Sequence, residues 1–374
     1  MTKFALYTYS TPNLGDEVQS IAARRFLPQV DYYINRDELG TFSDPDNTDE
    51  IKLIANGWYM HSPYQFAPTD PNINPLWVSM YVNRGNDKVQ QAMFGPDGLA
   101  AMRGPGIPVG ARDPETAKLM RSKGLDAYWS GCATLTLQRD ERIKKQDFVL
   151  ACDVSDEVFE FVKSKTDRPV YRISPYFNAN LTLEERFATA EWMLSMYQAA
   201  HSTVTCRLHC MLPSTAFGTP VALIKTPGNY VARRFAGLES FVRSATQDEY
   251  LNNYEFFNVD DPGENPTDFL EKRQSLVDTF STFTGYDAVD HGIGFSRTNI
   301  PELIGNEALM SSIMKFTEPS NKLRKEHVAT EKQLKESLSQ QEALQQRVDS
   351  SFVGKAEIQA RRLVRGLRRR VSAK

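Results

Sequence analysis

Long hydrophobic runs are missing from this sequence, since no stretch of about 18 consecutive apolar residues occurs anywhere in its 374 residues. The first residues, Met1 to Tyr7, also lack a basic region followed by a long apolar segment. Membrane-spanning helices and secretory signals depend on these two patterns. The sequence therefore predicts neither, and it predicts a protein that stays in the cytoplasm.

Cysteine is scarce, with four residues in the chain. Cys206 and Cys210 form a C-x3-C pair without a matching second pair, so neither a zinc site nor a disulfide is indicated. The H-E-x-x-H spacing and a spaced acidic cluster are missing too, so the sequence predicts no metal site. We interpret the four cysteines as small buried apolar groups.

Nucleotide-binding fingerprints are absent as well. No G-x-G-x-x-G follows a predicted strand, no G-x-x-x-x-G-K-[ST] occurs, and Gly104-x-Gly106 precedes Pro108 rather than a helix. NAD and P-loop chemistry are therefore disfavoured. The serine-nucleophile motif G-x-S-x-G is also missing.

Positive charge is in short supply outside the end of the chain. The net charge is −3, yet residues 355–374 hold eight Lys or Arg against Glu357 alone, so the rest of the chain is acidic. An acidic body argues against broad nucleic-acid binding, which needs a basic face. Leu363, Leu367 and Val371 recur among the arginines of the tail. This spacing predicts a basic amphipathic helix that makes peripheral contact with an anionic membrane, with a solvated tail as the alternative.

What the sequence does contain is an alternation of strand-like and helix-like segments. The clearest strands cover residues 4–9, 30–34, 51–55, 76–82, 148–152, 170–173, 203–206 and 221–224, and the clearest helices cover residues 16–27, 183–200, 210–217 and 266–282. The charged stretch from Gln138 to Gln146 is the best candidate for a linker. We therefore predict an α/β fold with two Rossmann-like parallel-sheet domains over residues 1–142 and 143–316. A charged helical tail over residues 317–374 follows them.

The most informative run is Thr205 to Met211, because it places Arg207 and His209 two residues apart where a predicted strand becomes a helix. In open parallel sheets, ligands bind outside the carboxyl ends of the strands, where helix N-termini offer free N–H groups to an anion. A guanidinium and an imidazole at that edge can hold an anion and move a proton. Two further turns of this kind are Asn13 to Glu17 and Arg112-Asp113. If the two sheets face each other across one cleft, these groups converge.

Each of these residues also has a structural interpretation. Asp16 followed by Gln19 is compatible with a capping box, and Gly15 is compatible with a simple turn. Asp113 before Pro114 is typical of a helix N-cap. Arg112 is compatible with a cation on the surface.

These turns together resemble the polysaccharide pyruvyl transferase family. The family characteristically has an Asn-x-Gly-Asp turn, an Arg-Asp-x-x-Ser/Thr segment before a helix that ends in Gly, and an Arg-Leu-His turn before a Pro-containing strand start. Here these are Asn13 to Asp16, then Arg112 to Thr116 with Gly124, then Arg207-Leu208-His209 with Pro220. The resemblance implies two Rossmann-like domains in a GT-B-like arrangement. It also implies transfer of pyruvate from phosphoenolpyruvate to a sugar of a surface glycan or its lipid-linked precursor, as a ketal.

The resemblance implies roles for the residues that carry it. Arg207 and Arg112 would bind the carboxylate and the phosphate of phosphoenolpyruvate, and His209, with an ordinary pKa of about 6.5, would act as general acid and base. Asp16 would assist a hydroxyl or the imidazole, and Leu208, Asn13 and Gly15 would complete the substrate site. No cofactor is implied beyond phosphoenolpyruvate as donor substrate. Two alternatives stay open: a GT-B glycosyltransferase that uses a nucleotide sugar, and a scaffold of glycan assembly without activity.

Overall fold

The chain folds into two parallel β-sheets with helices packed on them, as seen in a computed structural model. The structure describes residues 1–46, 48–59, 65–176, 181–227 and 232–288 and, beyond these, residue 337 alone. The strands in this part of the chain are β1 (Lys3–Thr8), β2 (Tyr32–Asn35), β3 (Ile51–Tyr59), β4 (Ile73–Val82), β5 (Val109–Ala111), β6 (Ala127–Trp129), β7 (Val149–Cys152), β8 (Val170–Ile173), β9 (Ser202–Thr205), β10 (Val221–Lys225) and β11 (Arg243–Thr246).

The helices lie in the connections between these strands. In the same described residues they are α1 (Gly15–Arg24), α2 (Asp87–Phe94), α3 (Pro96–Arg103), α4 (Pro114–Ser122), α5 (Asp156–Lys163), α6 (Leu183–Ala199), α7 (Leu208–Ala216), α8 (Ala232–Phe235), α9 (Gln247–Asn252) and α10 (Leu270–Thr284). Short 3-10 helices cover Arg36–Thr41, Ala133–Thr136, Glu239–Phe241 and Tyr254–Phe257.

The order of the strands is β2-β1-β3-β4-β5-β6 in the first sheet and β11-β10-β9-β7-β8 in the second. The strand pairs of both sheets are parallel. Parallel strands need crossover connections that cover both faces of a sheet, which explains why β7 and β9 are buried along their whole length. The predicted α/β class is confirmed, with two parallel sheets that are consistent with two Rossmann-like domains.

Helix α4 begins and ends as its sequence predicts. The Asp113 carboxylate accepts a hydrogen bond from the N–H of Thr116 at 2.9 Å, and Pro114 is the first helical residue. Gly124 follows the helix with a φ of 77°, the left-handed conformation that glycine adopts without strain. The N-cap interpretation of Asp113 is therefore confirmed. The surface interpretation of Arg112 is wrong, because its side chain is fully buried.

Two local predictions near the amino terminus are wrong. The strand predicted over residues 51–55 does not end there, because Asn56-Gly57 forms a bulge inside β3, where the pairing with β4 shifts register and Gly57 takes a φ of 139°. Helix α1 begins at Gly15, with Leu14 as its N-cap and no side-chain capping bond. Asp16 therefore lies inside the first turn, and Asp16 and Gln19 do not form a capping box.

Both sheets belong to one compact unit, Met1–Thr317. One hydrophobic cluster contains residues from each, including Leu6 of β1 and Leu150 of β7. Helix α10 returns to the first sheet, where the ring of Phe280 lies 5.0 Å from that of Phe26. The predicted linker connects the sheets, and the N–H of Asp140 within it donates to Gln198 Oε1 at 2.6 Å. The division into domains at residue 142 stays a prediction.

The predicted tail over residues 317–374, including its basic end over residues 355–374, lies outside the described residues apart from residue 337. Among the helices that the structure describes, none has the length and apolar character needed to cross a bilayer.

Candidate functional site

The site lies where the carboxyl ends of the two sheets meet. In each sheet the strand order reverses beside its first strand, between β1 and β3 and between β7 and β9. Such switch points are where open parallel sheets bind ligands. Asn13, in the loop after β1, pairs with Tyr176 in an isolated bridge, and the N–H of Leu14 donates to the Pro175 carbonyl at 2.9 Å. The two predicted halves therefore contact each other at their ligand-binding edges.

His209 packs directly against the N-terminus of α1. A Cβ atom added to Gly15 would lie 2.9 Å from His209 Nδ1 and 3.1 Å from Asn13 Oδ1. The Asn13 amide oxygen also accepts a hydrogen bond from the N–H of Gly15 at 3.1 Å, which fixes this turn. The turn from Asn13 to Glu17 and the turn that contains His209, one from each predicted half, are thus in van der Waals contact.

A pocket opens beside this contact. Its lining residues are Asn13, Pro175, Cys206, Arg207, Leu208, His209, Arg234 and Phe235. Its interior of about 20 Å³ has room for about one water molecule, so a larger ligand requires some lining side chains to move. A cavity of about 810 Å³ near the start of β4 has no Lys, Arg or His in its described lining. We assign the site to the smaller pocket, because that is where the titratable and cationic side chains meet.

Arg207 is held by a carboxylate that the sequence analysis did not identify. Its Nε donates to Asp153, the residue that follows β7, and its guanidinium carbon lies 5.0 Å from the centre of the Tyr176 ring. Burial alone would lower the pKa of Arg207, but Asp153, Cys206 and Tyr176 together outweigh it and the pKa lies above its usual value. Asp153 has a φ of 55°, an uncommon conformation for a residue other than glycine. Arg207 Nη2 is buried without a hydrogen-bond partner among the described residues.

Arg112 is the most unusual side chain of the site. It is fully buried, yet Nε, Nη1 and Nη2 all lack a hydrogen-bond partner in the described part of the chain. Its guanidinium carbon lies over the Tyr81 ring, 4.4 Å from the centroid. A cation–π contact compensates only part of the cost of burying a charge, which is on the order of several kcal/mol. Among the described residues, Arg112 is therefore a cation without a counter-ion.

Arg234 is a second arginine that lines the pocket, and the sequence analysis missed it. It belongs to α8, and its guanidinium carbon lies 4.6 Å from the centre of the Trp58 ring. Its Nε is buried without a hydrogen-bond partner among the described residues. Burial, followed by Arg112, lowers its pKa. The available signal was its position soon after the carboxyl end of β10.

Burial and two neighbouring arginines set the protonation state of His209. Burial is the main reason that the pKa of His209 lies well below its usual value, and Arg112 and Arg234 lower it further. The backbone of Gly15 acts in the opposite direction. Without a bound anion, the imidazole is therefore neutral at pH 7. The expectation that His209 has an ordinary pKa is wrong, because the sequence does not reveal the cations that surround it.

Asp16 lies close to the pocket but engages other groups. Its carboxylate accepts a hydrogen bond from Thr11 Oγ1 at 2.9 Å, and Arg36 Nη1 lies 3.7 Å from it. Arg36 is fully buried and also pairs with Asp37. No hydrogen bond joins Asp16 to His209 in the described residues. The catalytic role of Asp16 stays a prediction.

The four cysteines are buried, as predicted. Cys132 also borders the imidazole, with its Sγ 3.9 Å from His209 Nε2. Leu208 is buried in the cluster of apolar residues beneath the pocket. Within the described residues, no group of three or more His, Cys, Asp or Glu is placed to hold a metal ion.

The fold and the site together define an α/β protein with two parallel sheets and a cationic pocket at their carboxyl ends. The model of the polysaccharide pyruvyl transferase family matches residues 106–226 of this chain. The match includes Arg112, Arg207 and His209, so the predicted resemblance is confirmed over this segment. The turn from Asn13 to Asp16 and Arg234 lie outside it.

One similar solved structure is that of an uncharacterized protein from Klebsiella pneumoniae subsp. pneumoniae NTUH-K2044. The two are 12% identical with a TM-score of 0.39, and the similarity covers 65% of this chain and 92% of that chain. A comparison with curated proteins gave no match.

The contact between Gly15 and His209 gives a first prediction. Alanine at position 15 suits a helix, but its methyl group would lie 2.9 Å from His209 Nδ1 and displace the ring. We expect Gly15→Ala to lower turnover about a hundredfold, the usual effect of misplacing a reacting group by about 1 Å. Phosphate release from phosphoenolpyruvate with a panel of sugar acceptors measures it.

Gly104→Ala is the matched control. Gly104 follows α3 at an exposed position. The nearest neighbour of a new methyl group there would be the Ala100 carbonyl oxygen, at 3.3 Å. This variant should keep full turnover. Full turnover in Gly15→Ala as well would show that the observed position of the His209 ring is not the one used in catalysis.

Proposed function

We propose that this chain is a pyruvyl transferase. It moves pyruvate from phosphoenolpyruvate to a sugar of a cell-surface polysaccharide or its lipid-linked precursor, and it forms a ketal with release of phosphate. The observation that supports this most is the buried guanidinium of Arg112, which lacks a hydrogen-bond partner in the described residues. A buried cation of this kind calls for an anionic ligand.

Phosphoenolpyruvate suits the charges of the pocket. It carries a carboxylate and a phosphate on a small vinyl skeleton, and bidentate contacts to guanidinium groups suit both. Arg207 and Arg234 line the pocket, and Arg112 is close enough to lower the pKa of His209. The family match over residues 106–226 also implies a transferase with a polysaccharide acceptor.

The reaction needs one group that moves protons. A proton adds to the methylene carbon, a sugar hydroxyl attacks the adjacent carbon, and the bond from that carbon to the phosphate oxygen breaks. A second hydroxyl then attacks the same carbon and closes the ketal. The proton of one sugar hydroxyl returns to the group that protonated the methylene carbon. The proton of the other hydroxyl leaves with the phosphate. His209 lines the pocket and is the titratable side chain best placed for these transfers.

Thermal shift measurements test the donor. A ligand at about one hundred times its Kd stabilises the folded state by about 2.7 kcal/mol, so phosphoenolpyruvate should raise the unfolding midpoint by a few degrees. UDP- and GDP-sugars at the same concentration should not. Pyruvate serves as the control that lacks phosphate.

The opposite ranking, with protection by a nucleotide sugar and none by phosphoenolpyruvate, would favour a glycosyltransferase and contradict the proposal. Mass analysis of the acceptor gives a second readout, since a ketal adds pyruvate with loss of water.

A further inference from the structure

The charges of the pocket are not evenly compensated. Arg207 is paired with Asp153, so these two side chains together are neutral. Neither Arg112 nor Arg234 has a carboxylate within ion-pair distance among the described residues. Within the described residues, Arg234, which lines the pocket, and Arg112, which is close enough to lower the pKa of Arg234, therefore carry uncompensated positive charge, whereas Arg207 does not.

Two neighbouring aromatic rings support the uncompensated arginines. Arg234 lies over Trp58, near the end of β3, and Arg112 lies over Tyr81, near the end of β4. The two rings are 6.2 Å apart and meet edge to face. Because β3 and β4 are paired at these residues, the sheet sets the spacing of the two guanidinium groups. Aromatic faces stabilise the arginines without occupying their hydrogen-bond donors.

We propose that Arg234 and Arg112 together bind the phosphate group of the donor, and that Arg207 binds its carboxylate. This inference rests on the proposed function. A phosphate dianion matches two uncompensated guanidinium groups in charge, whereas a carboxylate needs only the free Nη2 of an arginine that is already paired. Arg234 and Trp58 lie outside the segment matched by the family model, and they complete the phosphate subsite.

The neighbouring Arg233 provides a matched control. It lies in the same short helix, α8, but its side chain is exposed. We expect Arg234→Gln to raise the Kd for inorganic phosphate at least about tenfold, the value of a lost charge-assisted hydrogen bond, and the Kd for pyruvate less than about twofold. Arg233→Gln should change neither Kd by more than about twofold.

Tryptophan fluorescence gives a readout that a purely structural role would not affect. Phosphate that binds to Arg234 offsets the positive charge over the Trp58 ring. It should therefore change the tryptophan emission of the wild type and of Arg233→Gln. The change should be lost in Trp58→Phe and in Arg234→Gln. Unfolding midpoints of all variants, measured without ligand, show whether each one is folded.

Three results would overturn the inference. They are absence of phosphate binding to the wild type, an equal loss of phosphate and pyruvate affinity in folded Arg234→Gln, and an undiminished emission change in Trp58→Phe. The proposed function fails separately. If nucleotide sugars protect the protein and phosphoenolpyruvate does not, while Arg234→Gln still loses phosphate, the phosphate subsite stands and the donor assignment falls.

Discussion

Replacing Arg112 by methionine should abolish turnover and at the same time raise the thermal stability of the ligand-free protein. The guanidinium is fully buried, with no hydrogen-bond partner for its three nitrogens among the described residues. Removing one pre-positioned charge from an active site commonly costs about 10²–10³-fold in turnover. Burial of an unpaired charge opposes folding, and methionine keeps most of the volume against Tyr81. We expect the midpoint to rise by about 2–4 °C for each kcal/mol gained.

This opposite movement of activity and stability distinguishes a ligand-binding arginine from a structural one. Phosphate release and the unfolding midpoint are measured on the same preparations, with Arg233→Met as the control at an exposed position. The control should keep both values. A lower midpoint in Arg112→Met would mean that Arg112 stabilises the fold, and the charge argument for the proposed donor would lose its basis.

Much of the fold is predictable because it depends on local patterns. The buried strands near residues 4, 149 and 221 are short, mostly apolar runs, and their positions in the structure agree within one or two residues. Asp113 specifies the start of α4 through its side-chain cap, and Pro114 and Gly124 act through their backbone conformations. The placement of Arg207 and His209 at the end of a strand follows from the same reasoning.

The remaining features depend on residues that are distant in sequence. Asn56-Gly57 reads as a turn, but β4 supplies a partner that continues the strand through a bulge. Asp153 follows a strand without any motif, and only the fold shows that its carboxylate faces Arg207. Arg234 is recognisable as a site residue only because its guanidinium lies over Trp58, which belongs to a strand of the other sheet. No periodicity or spacing in one segment contains this information.

The protonation of His209 is a further property that the sequence conceals. Burial, Arg112 and Arg234 lower the pKa of His209 and keep the imidazole neutral before an anion binds. A neutral imidazole cannot donate the proton that the methylene carbon of the donor needs. The dianion that binds beside it offsets the two arginines and removes part of the cause of the low pKa. Binding of the donor should therefore raise the pKa of His209 and prepare the acid.

The groups that face His209 make the sign of this effect definite. Arg112 comes from the loop before α4, Arg234 from α8, Cys132 from the loop after β6, and Gly15 from the start of α1. The two charged groups among them are cations, so an added anion can only favour the protonated imidazole. Protons should be taken up when an anion binds, and anion affinity should increase as the pH falls through the pKa of the complex.

Calorimetry with sulfate, a dianion that does not titrate near neutral pH, measures this uptake. Binding heats near pH 6.5 in buffers of different ionisation enthalpy should show uptake of up to about one proton per site. His209→Asn should still bind sulfate but take up no proton, and its turnover should fall about 10²–10⁴-fold at every pH. Equal proton uptake in His209→Asn and the wild type would assign the proton to another group. Turnover that persists in this variant would exclude His209 as the acid, whatever the heats show.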